Sequence, residues 1–146
     1  MAAMSDYLEN KLIDAIFRAQ AYTMPATIHV ALFTGAPTDS AGGTEVTGGS
    51  YARVAVTSAL ANWAGTQSAG STSASSGNTG TTSNNGAVTF PAPTANWGVI
   101  THFAMMDAST GGNVLFFGAL NTSKTVNSGD AAPQFAAGAL SLQIDN

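Results

Sequence analysis

The stretch WGVITHFAMMDASTGGNVLFFGAL, residues 97–120, decides the fold. It reads as strand, turn, strand. Residues 99–106 are apolar except at Thr101 and His102, and residues 114–120 are apolar throughout, with Gly118 the one position lacking a side chain. Between them, Asp107-Ala-Ser-Thr-Gly-Gly112 supplies glycines able to take positive φ and an Asp able to bond its own backbone. Side chains alternate across a strand, so Val99, Phe103 and Met105 are expected on one face and Ile100, Ala104 and Met106 on the other. In the second strand Val114, Phe116 and Leu120 oppose Leu115, Phe117 and Ala119. A half-solvated strand would carry polar residues at every second position; these two are apolar on both faces. Both faces must therefore be covered, by a second layer of this chain or by another chain.

Composition narrows the class. A chain of 146 residues suits a single domain able to bury a core without staples. Cysteine is absent, which excludes a disulfide framework and thiolate metal sites. Charged residues make 8% of the chain, against about 25% in a typical soluble domain. With a net charge of −4 and four cationic side chains, a nucleic-acid groove is excluded. The apolar runs have strand length, well short of the roughly 20 residues that span a bilayer, so no membrane partner is expected. Residues 1–10 lack the basic region and apolar core of a signal peptide. A surface of Ser, Thr, Asn, Gly and Ala suits a subunit packed into a larger structure.

Ahead of the first strand, the pattern predicts a helix over residues 5–22. Ser5 is a fitting N-cap, and Asp6 and Glu9 place negative charge where the helix dipole favours it. Leu8, Leu12, Ile16 and Ala19 share one face and are expected to pack, with Ile13 and Phe17 flanking them. Such a helix either caps the open end of a sandwich or serves as an arm docking on a partner. It should end before Met24-Pro25, since a residue preceding proline is pushed out of the α region.

Strands follow at residues 27–34 (TIHVALFT) and 51–57 (YARVAVT), separated by glycine-rich turns. In the second, Tyr51, Arg53, Ala55 and Thr57 oppose Ala52, Val54 and Val56, and Arg53 is expected to pair with Glu45 or Asp39. Residues 66–86 (TQSAGSTSASSGNTGTTSNNG) hold no charge and no side chain larger than Gln, which predicts a flexible loop or, alternatively, a polar arm that orders on a neighbouring subunit. Shorter strands are expected at 88–90 and 122–126, and a final one at 135–144. Ala61-Asn-Trp63 recurs as Ala95-Asn-Trp97, each beside a strand, and both tryptophans read as core or seam residues. The sum is an all-β domain with one N-terminal α-helix, an antiparallel β-sandwich of jelly-roll type.

No reacting group set stands out. His29 and His102 each sit mid-strand among apolar neighbours and read as satisfied structural residues. Asp107 follows His102 by five positions, yet no nucleophile elbow or phosphate-cradling glycine loop accompanies them. Asp39, Glu45, Asp107 and Asp130 are scattered without the spacing of a calcium loop. Catalytic, cofactor-binding and metal-binding residues are therefore not expected.

The run VALFTGAPTDSAGGTEVTGGSYARVAV, preceded by the helix YLENKLIDAIFR, resembles a family of tailed-bacteriophage structural proteins with the pattern LYT…PTD…GGTEV…GGYAR. The resemblance continues through Val88-Thr-Phe-Pro91, Trp97-Gly98, Thr101-His102, Gly118-Ala-Leu-Asn-Thr-Ser-Lys-Thr-Val126 and Phe135-Ala-Ala-Gly138, and lapses over residues 65–83. It implies a non-enzymatic virion protein. The role expected from it is that of a head decoration (cement) protein assembled in the bacterial cytoplasm. Such a protein sits on the capsid exterior, bound to the major capsid protein and self-associated, here expected as a trimer. The other role found among similar proteins is a tail-tip or tail-fibre module binding host-surface carbohydrate, for which Trp63, Trp97 or Tyr51 would stack on sugar rings. Candidate subunit-contact residues are Phe116, Phe117, Tyr51 and Arg53, with Leu8, Leu12 and Ile16 packing the helix.

Overall fold

The computed structural model describes residues 2–40 and 42–144. Strands are β1 (Ala3–Met4), β2 (Thr27–Gly35), β3 (Thr44–Glu45), β4 (Val54–Thr57), β5 (Thr81–Ser83), β6 (Val88–Thr89), β7 (Gly98–Met106), β8 (Val114–Val126), β9 (Gln134–Phe135) and β10 (Ser141–Gln143), with one helix, α1 (Asp6–Phe17). The large sheet runs β1-β8-β7-β2-β3, and β4 joins it on the same edge of β2 as β3. Two antiparallel pairs, β10-β5 and β6-β9, form the opposing layer. All pairings are antiparallel, and the fold is a β-sandwich with a broad sheet and a fragmented one.

The hairpin read from residues 97–120 is the centre of the broad sheet. β7 lies between β2 and β8, as its two-sided hydrophobicity requires. One face carries Val30, Leu32, Ile100, Phe103, Met105 and Leu115, packed against Val88, Phe90, Leu140 and Leu142. Phe135 bridges the layers, its ring 6.0 Å from Phe103 and 6.2 Å from Phe90, centroid to centroid. The other face carries a smaller cluster of Ala31, Phe33, Ala104 and Met106, flanked by Val114 and Phe117. Each large apolar side chain so buried contributes about 1.5–3 kcal/mol.

Simple alternation fails at two places. Ile100 faces the larger cluster beside Phe103 and Met105, and Val99 is the exposed one, because the register shifts between Ile100 and His102. Ile100 pairs with Lys124 while His102 pairs with Ala119, so β8 carries the extra residues of a bulge there. A second shift, between Met105 and Met106, turns Val114 away from Phe116. The segments 114–120 and 122–126 are one continuous strand through these bulges. Conversely, the expected last strand is broken into β9 and β10, with Gly138 at φ +76° between them.

The helix begins where expected. Ser5 is extended, its hydroxyl accepts from the Leu8 N–H and donates to the Val114 carbonyl, and its own N–H reaches Leu115 O at 3.0 Å. It ends earlier than expected, at Phe17: Ala19 adopts φ +54°, and the Gln20 N–H returns to the Asp14 carbonyl. Leu8 is buried and Leu12 half-buried against the core. Ile16 corrects the expected stripe, being largely exposed. The helix contacts the core through Tyr7, Leu8 and Leu12, while Ile16 and Phe17 in its last turn are exposed.

Residues 66–86 depart from the flexible loop that composition suggested. Thr81–Ser83 pair with β10, and Asn84 is buried. Its Nδ2 donates to the carbonyls of Gly86 (2.7 Å) and Ala136 (2.9 Å), and its Oδ1 accepts from the Leu140 N–H (2.9 Å). This one amide replaces the ladder that neighbouring short strands cannot supply. Residues 66–77 close on themselves through exposed polar bonds, such as Gln67 Nε2 to Ser71 Oγ and Gly77 N–H to Thr66 Oγ1. Lack of apolar bulk hid an order that rests on hydrogen bonds.

The two halves of this segment should therefore behave differently. Asn84→Ala strands buried backbone groups and should cost roughly 2–4 kcal/mol in urea unfolding. Replacing residues 68–75 by a short Gly/Ser turn should change stability by less than about 1 kcal/mol, since loop-closure entropy varies slowly with length. A larger loss from the loop replacement than from Asn84→Ala would contradict this division.

Candidate functional site

Two expected contact residues, Tyr51 and Arg53, meet at a gap in the broad sheet. Along one edge of β2, β4 covers Thr27–Val30 and β3 covers Phe33 and Gly35, leaving Ala31 and Leu32 between them. The Leu32 carbonyl is taken by the Val46 N–H at 2.9 Å, and its N–H donates to the Tyr51 hydroxyl at 2.9 Å. The hydroxyl then donates to Glu45 Oε1 at 2.9 Å. Burial pushes the Tyr51 hydroxyl well above its ordinary value near 10, in spite of the Leu32 N–H, which favours the phenolate.

Arg53 pairs with Glu45 through Nε to Oε1 and Nη2 to Oε2, both at 2.8 Å, a bidentate fork. Its Nη1 donates to the carbonyls of Ala108 (2.6 Å) and Gly111 (2.7 Å) in the β7–β8 turn. The Arg53 side chain is 6% exposed and that of Glu45 24%. Because Glu45 lies opposite Phe33 in the ladder, the pair sits on the face of the smaller apolar cluster. The turn it holds is itself closed by Asp107, whose carboxylate accepts from the Asn113 N–H and Nδ2, each at 2.7 Å. Gly112 takes φ +73° there, and a Cβ on it would strike the Asp107 carboxylate.

Tyr51 and Arg53 are thus spent inside the chain. Phe116 packs into the larger cluster and lies opposite Met4; Phe117 packs beside the smaller one and lies opposite Ala3. Both phenylalanines thus have neighbours within the chain, and each is half-buried, with part of its surface open.

The aromatic residues proposed for sugar stacking are also engaged. Trp97 is buried, its ring 5.4 Å from Tyr51 at 85°, and its Nε1 donates to Gly49 O at 2.9 Å. Gly49 has φ +57°, and a Cβ there would lie 2.9 Å from that nitrogen. Tyr51 also stacks on Phe90, centroids 6.3 Å apart. Trp63 is half-buried beside an apolar groove with Ile28, Met105, Leu115, Phe116 and Leu142, and its buried Nε1 has no hydrogen-bond partner. His102 Nδ1 lies 2.8 Å from Thr101 Oγ1, and Asp107 serves Asn113, so His102 and Asp107 are not joined. His29 differs from the satisfied residue expected: its buried Nδ1 has no partner.

What the contact prediction passed over is the outer side of α1. Ile13 is 50% exposed, Ile16 69% and Phe17 79%. Their spacing of three and four places them on one stripe. The signal was in the sequence, where Ile13 and Phe17 already formed a second apolar pair beside Leu12 and Ile16. No helix among the described residues is long and apolar enough to cross a membrane.

A family model described as podophage GP4 fiber I protein gp80 matches residues 3–143. The chain belongs to this family of tailed-phage structural proteins. No curated protein matches it.

The clasp at Tyr51 and Arg53 should be read in stability rather than in binding. Arg53→Met takes both guanidinium donors from Glu45, leaving it the Tyr51 hydroxyl, and strips two turn carbonyls of theirs; it should cost roughly 2–3 kcal/mol. Since the folded-state pKa of Tyr51 is raised, its contribution is present in full below about pH 10 and is lost as pH climbs beyond it. Tyr51→Phe should unfold more easily at neutral pH yet show a flatter loss of stability above pH 10. An identical alkaline slope in the two proteins would remove the buried phenol from this role.

Proposed function

We propose that this chain is a non-enzymatic fibre subunit of a tailed-phage virion, acting through protein–protein contacts. The observation that carries the reading is the match to a fibre protein family over residues 3–143. The geometry supports it in two ways. The polar groups that would form a reacting set are committed to turns and ladders: Asp107 to Asn113, and Glu45 to Arg53 and Tyr51. The aromatic rings of Tyr51 and Trp97 are committed to the core, which leaves surface contact with other proteins, rather than sugar stacking by those rings, as the adhesive work.

The capsid-decoration role expected from the sequence resemblance is the rival, favoured by the low charge that suits a subunit packed on a shell. A decoration protein stabilises a shell by binding only its assembled form, so its loss weakens heads. A fibre protein leaves heads untouched and acts on attachment. Deleting the gene and measuring heat inactivation of particles alongside adsorption to cells separates the two. The expected outcome is particles of normal heat stability with impaired adsorption, and a copy number in purified virions far below that of the capsid subunit. Heat-labile particles that adsorb normally would assign the chain to the capsid instead.

A further inference from the structure

Asn85-Gly86 is the one Asn-Gly pair in the sequence, and it lies at a bend between β5 and β6 with Gly86 exposed. From its surroundings we infer that Asn85 is a self-modification site: its side-chain amide hydrolyses through a succinimide, and the product unpins the loop of residues 66–77. The reaction needs the backbone nitrogen of the following residue to reach Asn85 Cγ. A side chain on that residue crowds the approach, and glycine has none. The space that a Cβ would occupy at Gly86 is open, and the Gly86 N–H makes no hydrogen bond among the described residues. The attacking group is therefore not held in a ladder, and Asn85 sits within its reach along the chain.

The step balances with water alone. The Gly86 nitrogen gives up its proton and bonds to Asn85 Cγ, the Cγ–Nδ2 bond breaks, and the side-chain nitrogen leaves as ammonia with that proton. Water then opens the five-membered imide at either carbonyl, leaving a carboxylate on an aspartyl or isoaspartyl unit. One water is consumed and one ammonia released, with no oxidant or reductant.

The amide that is lost is an anchor. Asn85 Nδ2 donates to the carbonyls of Leu60 at 3.3 Å and Ser71 at 3.2 Å, bonds at the long end of the normal range. Among the described residues, the bond to Ser71 is the one hydrogen bond from residues 67–76 to anything outside 66–79. A carboxylate in its place has no proton to donate and faces two carbonyl oxygens. Asn85 Oδ1 is already buried without a partner, so both oxygens of the product reach water only when the loop lifts away.

Gly86→Ala separates the chemistry from the fold, because Gly86 lies outside the left-handed region and the added methyl meets nothing. The intact protein, held in warm, mildly alkaline buffer, is expected to gain about 1 Da on the peptide containing Asn85 and Gly86, with one added negative charge on isoelectric focusing. Gly86→Ala should slow that gain by about tenfold or more. Proteinase K should cut within residues 67–76 sooner in the converted fraction than in the unconverted one, and Asn85→Asp should reproduce the faster cutting. No mass gain in the folded protein, an equal rate in Gly86→Ala, or equal cutting of converted and unconverted protein would overturn the inference.

Discussion

A sheet that is apolar on both faces must be covered twice, and most of this structure answers that constraint. β7 and β8 carry large side chains on each side, so neither face can be left to water. Among the described residues there is no second large sheet, and one face is covered by two strand pairs and their connecting turns. Those fragments are too short to hold their own ladders. Asn84 and the Phe90–Phe135–Phe103 ring contacts supply what long strands would have supplied through backbone pairing.

The second face is guarded by a different device. Its cluster is small, and beside it lies an ion pair with little exposure. An isolated buried pair gains little after desolvation. Here the guanidinium also meets two turn carbonyls and the carboxylate also meets the Tyr51 hydroxyl, so nearly every polar atom has a partner. The pair thereby fixes the distance between β3, the start of β4 and the β7–β8 turn. Tyr51 joins this clasp to the opposite face, because its ring packs with Phe90 and Trp97 while its hydroxyl completes the β2 ladder. One side chain thus ties the two cores to the same stretch of backbone.

What was legible in the sequence follows from which interactions have short-range signatures. The β7–β8 hairpin, the Ser5 cap, strand β2 and the Arg53–Glu45 pairing all rest on local period, turn chemistry or opposite charge, and all appear. Bulges do not announce themselves, since an apolar residue reads alike on either face; hence Val99 and Ile100 were exchanged. β5 and Asn84 escaped notice because their order comes from partners more than fifty residues away, and a Ser/Thr/Asn run carries no apolar mark of such a partner. Tyr51, Arg53, Phe116 and Phe117, read from the sequence as contact residues, all have neighbours within the chain, since a small core recruits its largest side chains; Phe116 and Phe117 keep part of their surface open.

The helix shows the converse. Its stripe is wider than one domain needs, and the structure divides it: Leu8 and Leu12 turn inward, Ile13, Ile16 and Phe17 outward. The charge inventory makes that division consequential. Of the four cationic side chains, Arg53 is enclosed by Glu45 and the β7–β8 turn, Arg18 pairs with Asp14 at 2.8 Å, and Lys11 sits over the Tyr7 ring at 5.8 Å. The surface that remains is weakly acidic and polar, with little positive charge to steer a partner electrostatically. Association of such a chain must rest on apolar contact and backbone or amide hydrogen bonds, which salt screens weakly.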